Sequence, residues 1–201
     1  MSIAQAIRLI LSHTGSAAAM ALVFAAGGVF ALQARRWRLR ALKGFAEWFA
    51  GRVERILSSG PSRLRLAAFI FLFNASAIFL YMLTGLVPWL PILTTFLAGM
   101  NVVFASLAGR GRDRGFRTKP HVARSARICM LLTFALELPA FWYAMAMGWT
   151  IRTRMMDLFW GTNLDSVRDR AAAYAMILVP ILFVSAIAEA HAIVSSLEPA
   201  E

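Results

Sequence analysis

Gly85-Leu86-Val87-Pro88-Trp89-Leu90-Pro91 interrupts a run of 44 residues, Leu66 to Gly109, that carries no charged side chain. About 20 helical residues cross a bilayer core, so the run is roughly twice too long for one span. Its two prolines lack the amide proton that a helix interior needs, and Trp89 suits a membrane–water boundary. The stretch therefore reads as a turn with Gly85, Pro88 and Pro91 at the bend. The run around it reads as a helical hairpin with spans near 66–85 and 91–109.

Outward from the hairpin the same pattern recurs. Thr14 to Leu32 is apolar and rich in Ala and Gly, which permits close helix contact. A secretory signal is the competing reading of that stretch, but its Arg cluster follows the apolar residues instead of preceding them. A fourth span covers about 127–149, with Glu137 and Pro139, and a fifth about 172–194, with Pro180, Glu189 and His191. The expected fold is all-α, a polytopic transmembrane bundle of about five spans plus an amphipathic interfacial helix. It divides into 1–65, with the first span and a basic amphipathic helix, and 66–201, the remaining bundle. The apolar spacing of Ile3 to Leu11 fits either an interfacial helix or a fraying terminus.

Composition agrees: 60% of the 201 residues are hydrophobic and 15% charged, which marks an integral membrane protein. A net charge of +11 would suit a nucleic-acid binder only if it covered a folded surface. Instead nine Lys and Arg lie between Gln33 and Leu66 and seven between Ala108 and Ile128. Such loops stay cytoplasmic and attract anionic lipid headgroups. This places the 152–170 loop and the N-terminus outside and the C-terminus inside, in a bacterial inner membrane, and argues against nucleic acid as a partner. The one cysteine, Cys129, cannot form an intrachain disulfide.

Within the first basic loop Leu42, Phe45, Ala46, Phe49, Val53, Ile56 and Leu57 recur at helical spacing opposite Lys43, Glu47, Arg52, Glu54 and Arg55. That is an amphipathic helix, suited to a membrane surface or a partner, or to covering the bundle. Arg110, Arg112, Arg114 and Arg117 in the second basic loop are candidate lipid or protein contacts. So are Phe159 and Trp160 in the external loop, where with Met155, Met156 and Leu158 they form an apolar patch.

A charge at the centre of a span costs roughly 2.5 to 3.5 kcal/mol, so Glu137 demands a partner. Counted from the basic boundaries at about 1.5 Å per residue, Asn74, Asn101 and Glu137 fall at one depth, with Glu189 a little shallower. These four residues form an expected intramembrane polar layer, in which Glu137 accepts hydrogen bonds from Asn74 and Asn101 or, protonated, donates one. The plain alternative is that such groups only fasten helices together. No second acid shares the depth of Glu137, and no Lys or Arg lies within a span, which argues against transport. His13, His121 and His191 are scattered, no phosphate-binding Gly-rich loop occurs, and Ser76 and Ser185 have no adjacent His. Neither metal, cofactor nor enzymatic activity is expected.

Leu136-Glu137-Leu138-Pro139-Ala140, followed by Ala146-Met147-Gly148 and Ala186-Ile187-Ala188-Glu189-Ala190, resembles the stage II sporulation protein M family. Asn74, Gly85, Pro88 and Gly99 fit the order of that family's motifs, and the resemblance covers about 65–194. The family often has a His-Gly pair ahead of the Glu motif, where this chain has Thr133-Phe134. That removes a His and Glu pair at i, i+4. The resemblance implies a membrane scaffold that, in spore formers, holds cell-wall-degrading proteins. The expected function is a non-enzymatic inner-membrane scaffold or accessory subunit that positions membrane or envelope proteins, with homo-oligomerisation compatible. The competing reading is a permease-like subunit of an exporter driven by a separate ATPase.

Overall fold

The computed structural model describes residues 1–34, 51, 62–87, 89–112, 124–151 and 164–197. Among them only helices and turns occur. In chain order they are α1 (Ile3–Leu11), α2 (Thr14–Ala34), α3 (Arg63–Leu83), α4 (Leu90–Arg112), α5 (Arg124–Ile151), α6 (Leu164–Ala173) and α7 (Val179–Leu197). A 3-10 turn, Thr84–Leu86, ends α3, and a π turn, Tyr174–Leu178, joins α6 to α7. Most of the expected amphipathic helix at 41–57, together with Pro88, Arg114, Arg117, Phe159 and Trp160, lies outside the described residues.

Among the described residues four helical stretches are long and apolar enough to cross a membrane: Thr14–Gln33, Arg63–Leu86, Ser125–Ile151 and Val167–Ser195. The apolar part of α4, Leu90–Phe104, is shorter. As backbone, α4 nevertheless runs for 23 residues, about 34 Å at 1.5 Å each. Arg110 and Arg112 stand in its last turn.

The break between the two central spans combines three features. Gly85 is buried against the backbone of Gly148, where any Cβ would overlap the Gly148 carbonyl. Trp89 holds a left-handed φ of 65°, an outlier for a bulky side chain, and stacks edge-on against Trp149 at 6.1 Å. Pro91 then enters the first turn of α4, where its missing N–H costs least, and is fully buried.

Beyond the turn the two arms part. Helix α3 packs on α7 and α5, whereas α4 packs chiefly on α2. In a bilayer the hydrophobic effect does not draw helices together, so close backbone approach and polar bonds decide which pairs form. Glycine permits that approach between α2 and α4: a Cβ on Gly27 would overlap the Phe96 carbonyl, and one on Gly99 the Phe24 carbonyl. The two helices run in the same direction, since Met20 meets Thr95 and Gly28 meets Val103.

Let the basic end be the one where α2 and α4 finish and α3 and α5 begin, beside the Arg-rich segments, and the far end its opposite. At the far end one core unites the molecule. Met82, Ala144, Met145, Met147, Ala173 and Leu178 are completely or almost completely buried there, joined by Met20 of α2 and by Ala6 and Ile10 of α1. Toward the basic end that core divides. Ala31, Met100 and Phe104 form a cluster of α2 and α4 alone. Leu66, Ala67, Ile70, Ala186 and Ala190 form another, of α3 and α7 alone. The basic half therefore has two legs, α2 with α4 in one and α3 with α7 in the other; α5 joins α7 there through Thr133 and Ser185, and along its length packs on both α2 and α3.

Of the two readings of residues 3–11, the structure contains a docked helix. A capping box between Ser2 and Gln5 starts α1, and α1 packs on α6 and the π turn.

Candidate functional site

Polar side chains between the helices gather at three levels. At the far end, His13 lies in the tight turn between α1 and α2 and is 8% exposed. Its Nδ1 is 2.7 Å from the Leu9 carbonyl, which can only accept, so that nitrogen carries a proton and donates. Its Nε2 is 2.9 Å from the Thr150 hydroxyl at the end of α5. The Thr150 hydroxyl, which donates to the Met147 carbonyl at 2.9 Å, accepts from Arg170 of α6, whose Nε and Nη2 lie at 3.3 and 3.2 Å. A parallel contact joins Thr14 to the Tyr143 hydroxyl at 3.2 Å. One imidazole and one hydroxyl thus tie together four helices, α1, α2, α5 and α6.

Midway, the Tyr174 hydroxyl donates to the Ala75 carbonyl at 2.5 Å, fastening α3 to the π turn. The π turn has a local cause. Pro180 supplies no N–H to the carbonyl of Met176, and the Val179 N–H reaches back five residues to Tyr174. In α5, Pro139 likewise leaves the Ala135 carbonyl without its helical donor.

Nearer the basic end, Thr133 and Ser185 are both buried and bond reciprocally across α5 and α7. The Thr133 hydroxyl donates to the Cys129 carbonyl at 2.9 Å and to the Ser185 carbonyl at 3.5 Å, and the Ser185 hydroxyl donates to the Thr133 carbonyl at 3.4 Å. Thr133 precedes Glu137 by one turn, and Ser185 precedes Glu189 by one turn. Pairing of 133 with 185 and of 150 with 170 makes these helices antiparallel. Side chains tilt toward the N-terminus of their own helix, so the two acids tilt toward each other across the Thr133–Ser185 contact.

The expected polar layer is thus divided. Glu137 and Glu189 tilt toward each other from opposite sides of the Thr133–Ser185 contact, which lessens the difference in depth that counting along the helices gives them. Asn74 and Asn101 are half-buried on α3 and α4, helices that meet only near the turn. Among the described residues neither asparagine hydrogen-bonds Glu137, and neither acid has a hydrogen-bond or ion-pair partner. Asn101 belongs to the other leg, beside Met100 at the α2 contact. Gly85 stands in the 3-10 turn and Pro91 in the first turn of α4, and no group of three or more His, Cys, Asp or Glu suited to a metal occurs among the described residues.

His13, Thr150, Arg170, Thr133 and Ser185 are the residues that sequence reasoning did not single out. The signal for the last two was their i, i+4 spacing to the two intramembrane acids. His13 had no comparable signal, since its partners are remote in sequence.

Helical spans fastened by side-chain bonds to neighbouring backbones define a polytopic helical membrane protein. Within that class the chain belongs to the stage II sporulation protein M family, whose model matches residues 16–192. The match takes in α2, beyond the 65–194 stretch that carries the resemblance in sequence. No curated protein and no solved structure matches the chain.

Proposed function

We propose that the protein is a non-enzymatic scaffold or accessory subunit that positions partner proteins of the cell envelope, in a bacterial inner membrane with the basic end in the cytoplasm. The observation that carries this reading is how the polar groups are used. Thr133, Ser185, Tyr174, His13 and Thr150 all bond to neighbouring helices or to each other, which holds a bundle in one arrangement. Family membership supports it, and the positive-inside rule supports the orientation. The partner-facing elements are the Arg-rich segment 110–127, the amphipathic segment 41–57 and the apolar patch around Phe159 and Trp160.

Gentle extraction from native membranes, purification through a C-terminal tag and mass spectrometry of the co-purifying proteins tests the proposal. A cell-wall hydrolase or a large envelope complex is the expected result. A stoichiometric ATPase would overturn it in favour of a permease-like exporter subunit. That second reading has one observation behind it, the placement of Glu137 and Glu189 one turn beyond Thr133 and Ser185 on facing helices. It predicts that Glu137→Gln abolishes export, whereas a scaffold retains its partners in the same variant.

A further inference from the structure

Prolines interrupt α5 and the span that contains α7, and the contacts between these helices put both interruptions at one level. Thr133 of α5 lies opposite Ser185 of α7, and Thr150 opposite Arg170, so along the antiparallel pair Pro139 comes opposite Pro180. Each ring withholds one helical N–H, from the Ala135 carbonyl in α5 and from the Met176 carbonyl in the π turn that leads into α7. Prolines and π turns are where helices bend. A bend in one of two packed helices would drag it along its neighbour. Bends at one level let the pair turn together, and the reciprocal Thr133–Ser185 bonds stay intact.

What holds α5 changes at the same level. Of the described residues from Ser125 to Pro139, Ala126 and Thr133 are the buried ones, whereas from Ala140 to Gly148 all but Trp142 and Tyr143 are buried. His13 with Thr150, Phe24 with Phe141 and Trp142, and Tyr81 with Phe141 join α5 to its other neighbours on the far side of Pro139. Tyr174 fastens to the Ala75 carbonyl on the far side of Pro180. On the basic side α5 bonds to α7 at Thr133, and α3 meets α7 through the apolar cluster of Leu66, Ile70 and Ala186, a contact that can slide. We propose that Pro139 and Pro180 form one hinge, about which the basic ends of α5 and α7 swing as a unit while the far-end core stays fixed. A bend of about 20° acting from Pro139 to Ile128, over roughly 16 Å, moves the start of α5 by about 6 Å. The hinge belongs to the bundle itself and does not depend on the scaffold reading.

Distances between paired spin labels on the full chain, in bilayer nanodiscs and a Cys129→Ser background, test the hinge. Ile128→Cys with Leu32→Cys relates the moving end of α5 to the end of α2. Ile128→Cys with Ile187→Cys stays within the moving unit. All three side chains are exposed. The first distance distribution is expected to be at least about twice as wide as the second, or split by about 6 Å. Restoring the missing N–H groups with Pro139→Ala and Pro180→Ala together is expected to narrow the first pair to the width of the second. Equal, narrow widths for the two pairs with both prolines in place would overturn the hinge, and that comparison needs no proline variant to fold. So would a wide distribution for Ile128 with Ile187, which would mean that α5 and α7 bend separately. Persistence of the first pair's width in the folded double variant would overturn it as well, since the motion would then lie outside the prolines.

Discussion

The far-end and basic-end halves are built from the same helices, yet one is a single core and the other is two separate legs. The far end has what a membrane bundle needs for tight association. Gly85 and Gly148 bring backbones into contact, methionines fill the space around them, and His13, Thr150 and Arg170 lock the periphery. At the basic end each leg keeps its own device, Gly27 with Gly99 in one and Thr133 with Ser185 in the other, and among the described residues no such device joins the two. Apolar side chains do not draw helices together in lipid, so where no glycine or polar bond bridges the legs they part.

The sharpest way to break this contrast is Gly85→Leu or Gly148→Leu. Either side chain would have to displace backbone in the shared core, and a cost of at least about 3 kcal/mol is expected. Loss of a monodisperse species in size-exclusion chromatography would register it. Gly27→Leu and Gly99→Leu attack only one leg, and about 1 to 3 kcal/mol is expected. Faster proteolysis near the ends of α2 and α4, with α3, α5 and α7 still protected, would separate this from global unfolding. His13→Ala removes the link among four helices, with the bonds of its ring to the Leu9 carbonyl and the Thr150 hydroxyl, while Ser12 still donates to Leu9 and Thr150 keeps Met147 and Arg170. About 1 to 2 kcal/mol is expected, visible as faster amide exchange in residues 3–11 with no change at the Thr133 level. Thr133→Val and Ser185→Ala are smaller, about 0.6 kcal/mol each, and a double-mutant cycle in thermal unfolding should show them coupled. Trp142→Phe is the smallest. Its Nε1 is buried without a partner among the described residues, so losing it is expected to leave thermal stability unchanged or slightly raised.

What was legible in the sequence is what local pattern controls. Uncharged runs mark the spans, Gly85 and the prolines mark the turn, and the Glu-Leu-Pro motif carries the family resemblance. Each depends on residues close together in the chain. The polar layer shows where that reasoning stops. Distance from a basic boundary gives one coordinate, depth, and it placed Asn74, Asn101 and Glu137 together. It does not say which helices are neighbours or which way each face turns. Asn101 proved to be on the other leg, and Glu137 and Glu189 tilt toward each other across the Thr133–Ser185 contact, which a residue count ignores. The His13–Thr150 contact spans 137 residues, and no periodicity in either segment foretells it. The two-legged shape was hidden for the same reason, since it follows from which glycines meet which carbonyls.

Accessibility by spin label tests the separation of the legs most directly. In a Cys129→Ser background, single cysteines at Ile128, Met130, Leu131 and Phe134 surround the basic half of α5, and labels there can be probed with oxygen in bilayers. The two-legged bundle predicts that all four are as accessible as a label at Leu72, while a label at Met145 in the shared core is protected. Protection of one or more of the four, to the level of Met145, would mean that the legs close on each other and would contradict the account.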